Sequence, residues 1–348
     1  MKTESLKLAV IYDPKCPKLM PDAYSSTYAD MLYAVVDRFA TVQAITQSCS
    51  AEDIEADVIL IYDIHSSHKI AIDGLEGHKA VKYTYFDDPH QQDFTGTYQG
   101  GKKVHKLGPG PRTERAMNRG VNHIICPYKN SYYEHIAPFL AGLGEKILFW
   151  FPPAPSIKRF PKSLTTIPLS ERKHKILGNG FINAGAIYDF RRWAFQQPNT
   201  YYVKHAAQRP DVPKGLEYVK LLAQFTGALA LCDWHIVPKY LEIPLAGCVC
   251  FAQDQQDYRD MGFKDLMNCV YIGDLKNPGT IDDLKGDFAT LTGAFLNCHN
   301  LQLSMDDYQE IATNGRKLIE DNWTAEHFAE AFYNHALERV RTPIRIDF

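Results

Sequence analysis

An α/β protein of two doubly wound domains, each built on a mostly parallel sheet, is the fold class this sequence predicts. Three observations predict it. Short apolar runs of strand length recur along the chain. Amphipathic stretches of helix length separate them. A proline-rich, aperiodic segment interrupts the series near the middle.

In the first half the apolar runs lie at 6–12 (LKLAVIY), 41–46 (TVQAIT), 57–62 (DVILIY), 79–86 (KAVKYTYF), 121–126 (VNHIIC) and 146–151 (KILFWF). Continuous apolar runs suit parallel strands that are buried on both faces. Between the first two, Tyr28, Met31, Leu32, Val35, Val36 and Phe39 fall at helical spacing and make one apolar stripe. Strand, helix, strand in that order implies right-handed crossovers. Residues 151–168 (FPPAPSIKRFPKSLTTIP) carry proline and no periodicity, which marks a linker.

The alternation resumes at 175–180 (KILGNG), 200–205 (TYYVKH), 227–232 (GALALC), 248–252 (CVCFA) and 269–274 (CVYIGD). Leu216, Leu221, Leu222 and Phe225 line one intervening helix. Residues 238–247 (PKYLEIPLAG) predict another, with Pro238 suited to its first position and Gly247 to its stop. Pro244 inside it predicts a short or kinked helix. In the tail, Ser304 followed by Asp307 reads as a capping box, with Ile311, Gly315, Leu318 and Ile319 on one face. Thr324 caps a last helix carrying Phe328, Ala331, Phe332 and Val340. The expected domains are 1–165, 166–325 and a helix with tail, 326–348, that crosses back toward the first.

The composition fits a globular protein. Of 348 residues 45% are hydrophobic and 23% charged, and the net charge is −3. That balance lacks the basic excess of a duplex-binding protein, so no nucleic acid is expected, apart from a local basic patch at Lys102, Lys103 and Lys106. No run approaches the ~18 apolar residues of a membrane span, which leaves peripheral contact with a membrane open. The first residues lack an export signal. The cysteines are scattered and include no Cys-x-x-Cys pair, as expected of buried free thiols in the cytoplasm.

Ligands of doubly wound sheets bind beyond the carboxyl ends of the strands. In the second domain the helix starting at Pro238 would point its N-terminus there, a place that favours phosphate. Lys239 adds a positive charge, and Glu242, one turn on, offers a carboxylate for two ribose hydroxyls. The same spacing equally describes an exposed ion pair worth a few tenths of a kcal/mol. Gly178-Asn179-Gly180 follows a strand, with Tyr188, Arg191 and Arg192 soon after. Glycine admits close approach of backbone, and arginine binds phosphate bidentately. A tight turn with a solvated basic patch explains these residues as well.

In the first domain the strand ends carry Asp13, then Asp63 with His65 and His68, then Asp87, Asp88 and His90. Any of these can serve as the general base for an acceptor hydroxyl. The last cluster is the densest, and it also reads as a turn, since Asp-Pro starts turns. His65 and His68 have no third metal ligand nearby in sequence. Residues 89–119 form a long polar insertion that reads as an acceptor-side lid or as disorder.

Two stretches carry a family resemblance. One runs from Gly215-Leu216-Glu217-Tyr218 through Lys239-Tyr240-Leu241-Glu242-Ile243-Pro244-Leu245-Ala246-Gly247. The other runs from Tyr308 to Arg316 and on to Asn322-Trp323-Thr324. Together they resemble the CgeB/YkvP-like glycosyltransferases, best over about 175–335. In the first domain the resemblance rests on layout and on Asp87-Asp88-Pro89-His90. It implies the GT-B fold of two facing Rossmann-like domains, with a nucleotide-sugar held by the second and an acceptor by the first. By that match Glu242 holds the ribose, and Lys239 and Arg191 the diphosphate.

The expected nucleotide-sugar site is Gly180, Tyr188, Arg191, Tyr218, Lys239 and Glu242. The expected catalytic group is one of Asp87, Asp88 and His90. No metal and no cofactor are implied beyond the nucleotide-sugar, and the acceptor is a glycan, a protein or a small molecule. Many retaining GT-B enzymes carry a second glutamate eight positions before the ribose-binding one. Trp234 stands there in this chain, so retention and inversion both stay open for a hexosyltransferase-type enzyme. The alternatives are a sugar-nucleotide epimerase on the same fold and a non-catalytic nucleotide- or sugar-binding protein.

Overall fold

The computed structural model describes residues 5–16, 19, 26–62, 70–86, 97–99, 102–104, 111–135, 137, 147–180, 182, 189–203, 213–232, 235–276, 279–297 and 303–342. The chain divides into two compact units. The first comprises Met1–Met20, Tyr28–Pro152 and Ala325–Phe348, and the second Pro21–Thr27 with Pro153–Thr324.

The first unit is built on six parallel strands: β1 (Lys7–Ile11), β2 (Thr41–Ile45), β4 (Val58–Ile61), β6 (Val81–Tyr85), β9 (His123–Cys126) and β10 (Ile147–Trp150). Their order is β10-β9-β6-β4-β1-β2. A two-residue parallel pair, β3 (Cys49–Ser50) with β5 (Ile72–Asp73), lies outside this sheet. Val58 to Ile61 are all buried, as continuous apolar runs in a parallel sheet require. The helix Thr27–Arg38 buries Tyr28, Met31, Leu32 and Val35, its predicted stripe. The insertion 89–119 contains an antiparallel hairpin, β7 (Thr97–Gln99) with β8 (Lys102–Val104), and a helix, Pro111–Asn118.

Helix Ala325–Arg341 also belongs to the first unit. Phe328 and Phe332 pack on Phe149, and Tyr83 Oη lies 2.7 Å from His335 Nδ1. Burial pushes the Tyr83 hydroxyl well above its ordinary range. It lowers the His335 imidazole, as does Arg339, while Glu338 acts the other way.

The second unit has five parallel strands: β11 (Lys173–Asn179), β12 (Thr200–Val203), β13 (Phe225–Ala230), β14 (Val249–Gln253) and β15 (Val270–Ile272). Their order is β12-β11-β13-β14-β15. From β11 the chain moves out to β12 and then returns to the other side of β11 to lay down β13. The strand order therefore reverses between β11 and β13, which is where such sheets bind ligands. The core joins Ile176, Leu229, Val249, Phe251 and Ile272 to Phe288, Phe295 and Tyr308 of the covering helices.

The helix Lys239–Leu245 is buried on every side. Pro244 cannot donate to the carbonyl one turn back, at Tyr240, and Tyr258 Oη donates to that carbonyl instead, at 3.0 Å. The helix stops at Gly247, whose φ is +73° and where a Cβ would sit 2.3 Å from Thr165 O, so only glycine fits. Ser304 and Asp307 form the reciprocal cap of helix Met305–Asn322.

Candidate functional site

The site is assembled at the strand reversal of the second unit. Asn179 ends β11 and Gly180 follows it. A Cβ at Gly180 would lie 3.5 Å from Arg191 Nη1 and 3.6 Å from Lys239 Cε, so both cationic side chains converge on this glycine. Arg191 sits on the helix after β11, Tyr218 on the helix after β12 and Lys239 at the start of the helix after β13. The crossovers of the sheet thus deliver residues 60 positions apart, Asn179 and Lys239, into hydrogen-bond contact.

Lys239 Nζ donates to Asn179 Oδ1 and to Tyr218 Oη, each at 3.2 Å, and lies 4.8 Å from the centre of the Tyr218 ring. Arg191 Nε donates to Leu231 O at 2.7 Å, and Nη2 donates to the same carbonyl, just past β13. These acceptors orient the two side chains. Both side chains are buried, and so is Tyr218. Burial, opposed by Glu242 and aided by Arg191, pushes the Lys239 ammonium down to about 8. A buried pair of cations beside a backbone without a side chain is a place for an anion.

Glu242 lies on the same helix and faces other partners. Its Oε1 accepts from Thr27 Oγ1 at 3.1 Å and from Arg159 Nη2 at 3.2 Å. The exposed Lys239–Glu242 pair offered as one reading of the spacing does not form. Lys239 is 8% and Glu242 2% exposed, and each is bonded elsewhere. The solvated basic patch fails likewise at Arg191, which is 6% exposed, and holds for its neighbour Arg192, which pairs with Asp189 at the surface.

No protein-family model matches the chain, and no curated protein matches it in sequence. Solved structures do match. Sucrose-phosphate synthase from Thermosynechococcus elongatus aligns with a TM-score of 0.58 at 9% identity, over 96% of this chain and 98% of that one. HepE of Anabaena, solved in complex with UDP and glucose, aligns with a TM-score of 0.54 at 10% identity, over 96% of this chain and 100% of that one. A chain of the GtfA/B complex aligns with a TM-score of 0.51 at 12% identity, and there this chain covers 59% of the other's length with 83% of its own. The fold is α/β of the GT-B type. At these identities the likeness is one of fold, and chemistry has to be argued from the side chains.

Of the sequence-predicted donor residues, Gly180, Arg191, Tyr218 and Lys239 meet at one point, with Glu242 a helical turn away. Tyr188 lies outside the described residues. So do Asp87, Asp88 and His90, and with them Asp63, His65 and His68. Asp13 is part of a turn, where its Oδ1 accepts from Lys15 N at 2.8 Å. Among the described residues no three His, Cys, Asp or Glu side chains are grouped to hold a metal ion, and no helix is long and apolar enough to cross a membrane.

Two residues of the site were not singled out from sequence. Asn179, met only as part of a Gly-x-Gly turn, is the acceptor that aims Lys239. Arg159 stood in the proline-rich linker, where neither periodicity nor spacing distinguishes it from its neighbour Lys158.

Proposed function

We propose that this chain is a glycosyltransferase that moves a sugar from a nucleoside-diphosphate sugar to an acceptor hydroxyl, with the donor held by the second unit. One observation carries this reading: two buried basic side chains, Lys239 and Arg191, converge on Gly180 at the strand reversal of that unit. A diphosphate supplies the negative charge such a place favours. Glu242, one turn along the helix, takes the ribose, and Tyr218 holds the ammonium in place.

In the reaction the bond from the sugar's anomeric carbon to the phosphate oxygen breaks, and a bond to the acceptor oxygen forms. The nucleoside diphosphate leaves with the negative charge, which Lys239 and Arg191 stabilise, so no metal is required. The acceptor proton goes to a base, which we assign to Asp87, Asp88 or His90 if the configuration inverts. Replacing that base should lower turnover ~10²-fold or more and leave donor affinity unchanged. Normal turnover in all three single variants removes the assignment. Within the GT-B fold the Lys-x-x-Glu stretch and the tail favour a CgeB/YkvP-like, hexosyltransferase-type enzyme acting in the cytoplasm.

The UDP bound to HepE makes UDP the first ligand to try. Calorimetry and thermal shift should show UDP binding to and stabilising the protein, since a ligand of the native state raises its apparent stability. A UDP-sugar should then lose its sugar only when an acceptor is added. Conversion of the donor alone would point to an epimerase, and failure of every nucleoside diphosphate to bind would overturn the donor site.

A further inference from the structure

Arg159 belongs to no motif, yet it has an elaborate setting. It ends a single 3-10 turn, Ile157–Arg159, fixed by Ser156, whose Oγ accepts from Lys158 N at 3.3 Å. Its guanidinium carbon lies 5.2 Å from the centre of the Phe160 ring. Nη1 donates to Ser26 Oγ, and Nη2 donates to Thr27 Oγ1 at 3.3 Å and to Glu242 Oε1 at 3.2 Å. The side chains of Arg159 and Glu242 are only 9% and 3% exposed.

Both donors to Glu242, the guanidinium of Arg159 and the hydroxyl of Thr27, fall on Oε1. Among the described residues none falls on Oε2. A carboxylate has about four lone-pair sites, so Oε2 keeps its capacity to accept from a ligand. Two groups, Thr27 and Arg159, brought together from distant parts of the chain, therefore hold one oxygen and spare the other.

We infer that Arg159 is a positioning residue: with Thr27 it clamps Glu242 by Oε1 and leaves Oε2 to accept from the ribose diol of the donor nucleotide. The inference rests on the donor-site reading above and adds a source of sugar selectivity to it. A clamped carboxylate is ordered before the ligand arrives, so the cost of fixing its side chain does not fall on binding. Without the clamp Glu242 can turn toward water or take other partners, and the contact to the ribose hydroxyls weakens while the contact to the diphosphate persists.

The test compares UDP with 2′,3′-dideoxy-UDP by calorimetry on wild type, Arg159→Met and Thr27→Val, each first shown to melt cooperatively. Wild type should bind UDP roughly tenfold or more tighter than the dideoxy compound. In Arg159→Met the preference should fall to within about threefold, with affinity for dideoxy-UDP held within about threefold of wild type. Thr27→Val, which removes the second donor to Oε1 and keeps the ion pair, should give an intermediate preference and carries the test if Arg159→Met does not fold. A purely structural Arg159 would lower the melting temperature and leave the preference intact, and that result overturns the inference. A wild type that binds UDP and dideoxy-UDP alike, or neither, overturns the donor-site reading instead.

Discussion

The two units share a topology and differ in what they place beyond their strands. In the second unit the reversal between β11 and β13 gathers Lys239, Arg191 and Asn179, with the Arg159–Glu242 pair behind them. In the first unit the reversal falls between β1 and β4, and the described side chains near it include several tyrosines. Tyr62 Oη donates to Tyr28 O at 2.7 Å, and Tyr28 Oη lies 3.3 Å from Tyr128 Oη. The Tyr62 and Tyr85 rings pack at a tilt with their centroids 4.7 Å apart. These tyrosines are themselves buried and pack the interior of their unit, whereas the buried cations of the second unit suit a phosphate. The same layered fold thus carries different side chains around its reversals, and chemistry follows those side chains and not the sheet.

The largest effect expected from breaking this contrast is at Glu242. Glu242→Ala removes the partner of a buried guanidinium, and losing one member of a buried pair costs about 3–5 kcal/mol. An exposed pair would cost only ~0–1 kcal/mol, so denaturant unfolding separates the two pictures. The UDP affinity of the same variant should fall by about one to two orders of magnitude.

Lys239→Met comes next. It should weaken UDP by about one to two orders of magnitude and leave uridine, which has no phosphate, nearly unaffected. Unlike Glu242→Ala it should not destabilise the fold, since it takes away an ammonium that burial disfavours. A parallel loss of uridine affinity would mean that Lys239 supports the site as a whole and not the diphosphate.

A smaller effect is expected from pH. The Lys239 pKa of about 8 lies below its ordinary 10.5, so the folded chain releases this proton first. The resulting penalty is complete below about pH 8 and fades as pH rises toward 10.5, so stability relative to Lys239→Met should improve over that interval. UDP affinity should run the other way and decline as pH rises through about 8, because the ammonium is the form that binds phosphate. Bound UDP should shift that decline upward.

The smallest effect should come from the first unit. Tyr83→Phe removes one buried hydrogen bond to His335 and should cost about 0.5–1.5 kcal/mol without changing UDP affinity. A change in UDP affinity there would count against a donor site held by the second unit.

The sheets were legible because burial on both faces leaves a strong mark on composition. The six apolar runs of the first half are the six strands of one sheet, and the five of the second half are the five of the other. Helix faces were less clear. Leu216 falls in the predicted apolar stripe, yet it is 46% exposed; the helix Gly215–Leu222 buries Leu222 as predicted, together with Tyr218 and Val219. Within the polar insertion, composition gave no sign of the β7–β8 hairpin, because a two-stranded ribbon needs no apolar alternation to pair its backbone.

By itself the sequence determined the two-sheet α/β class, the cap at Ser304, the stop at Gly247 and the presence of Lys239 and Glu242 on one short helix. These are local properties, set by periodicity, by backbone conformations only some residues adopt and by residues near one another in the chain. Tertiary structure alone decided what Lys239 and Glu242 do. Spacing made them a pair, but the strand reversal sends Lys239 to Asn179 and Tyr218, and the linker turn sends Arg159 to Glu242. The physical reason is that a buried charge takes whichever partner the packing delivers, and crossovers deliver partners from sequence positions that no local pattern records.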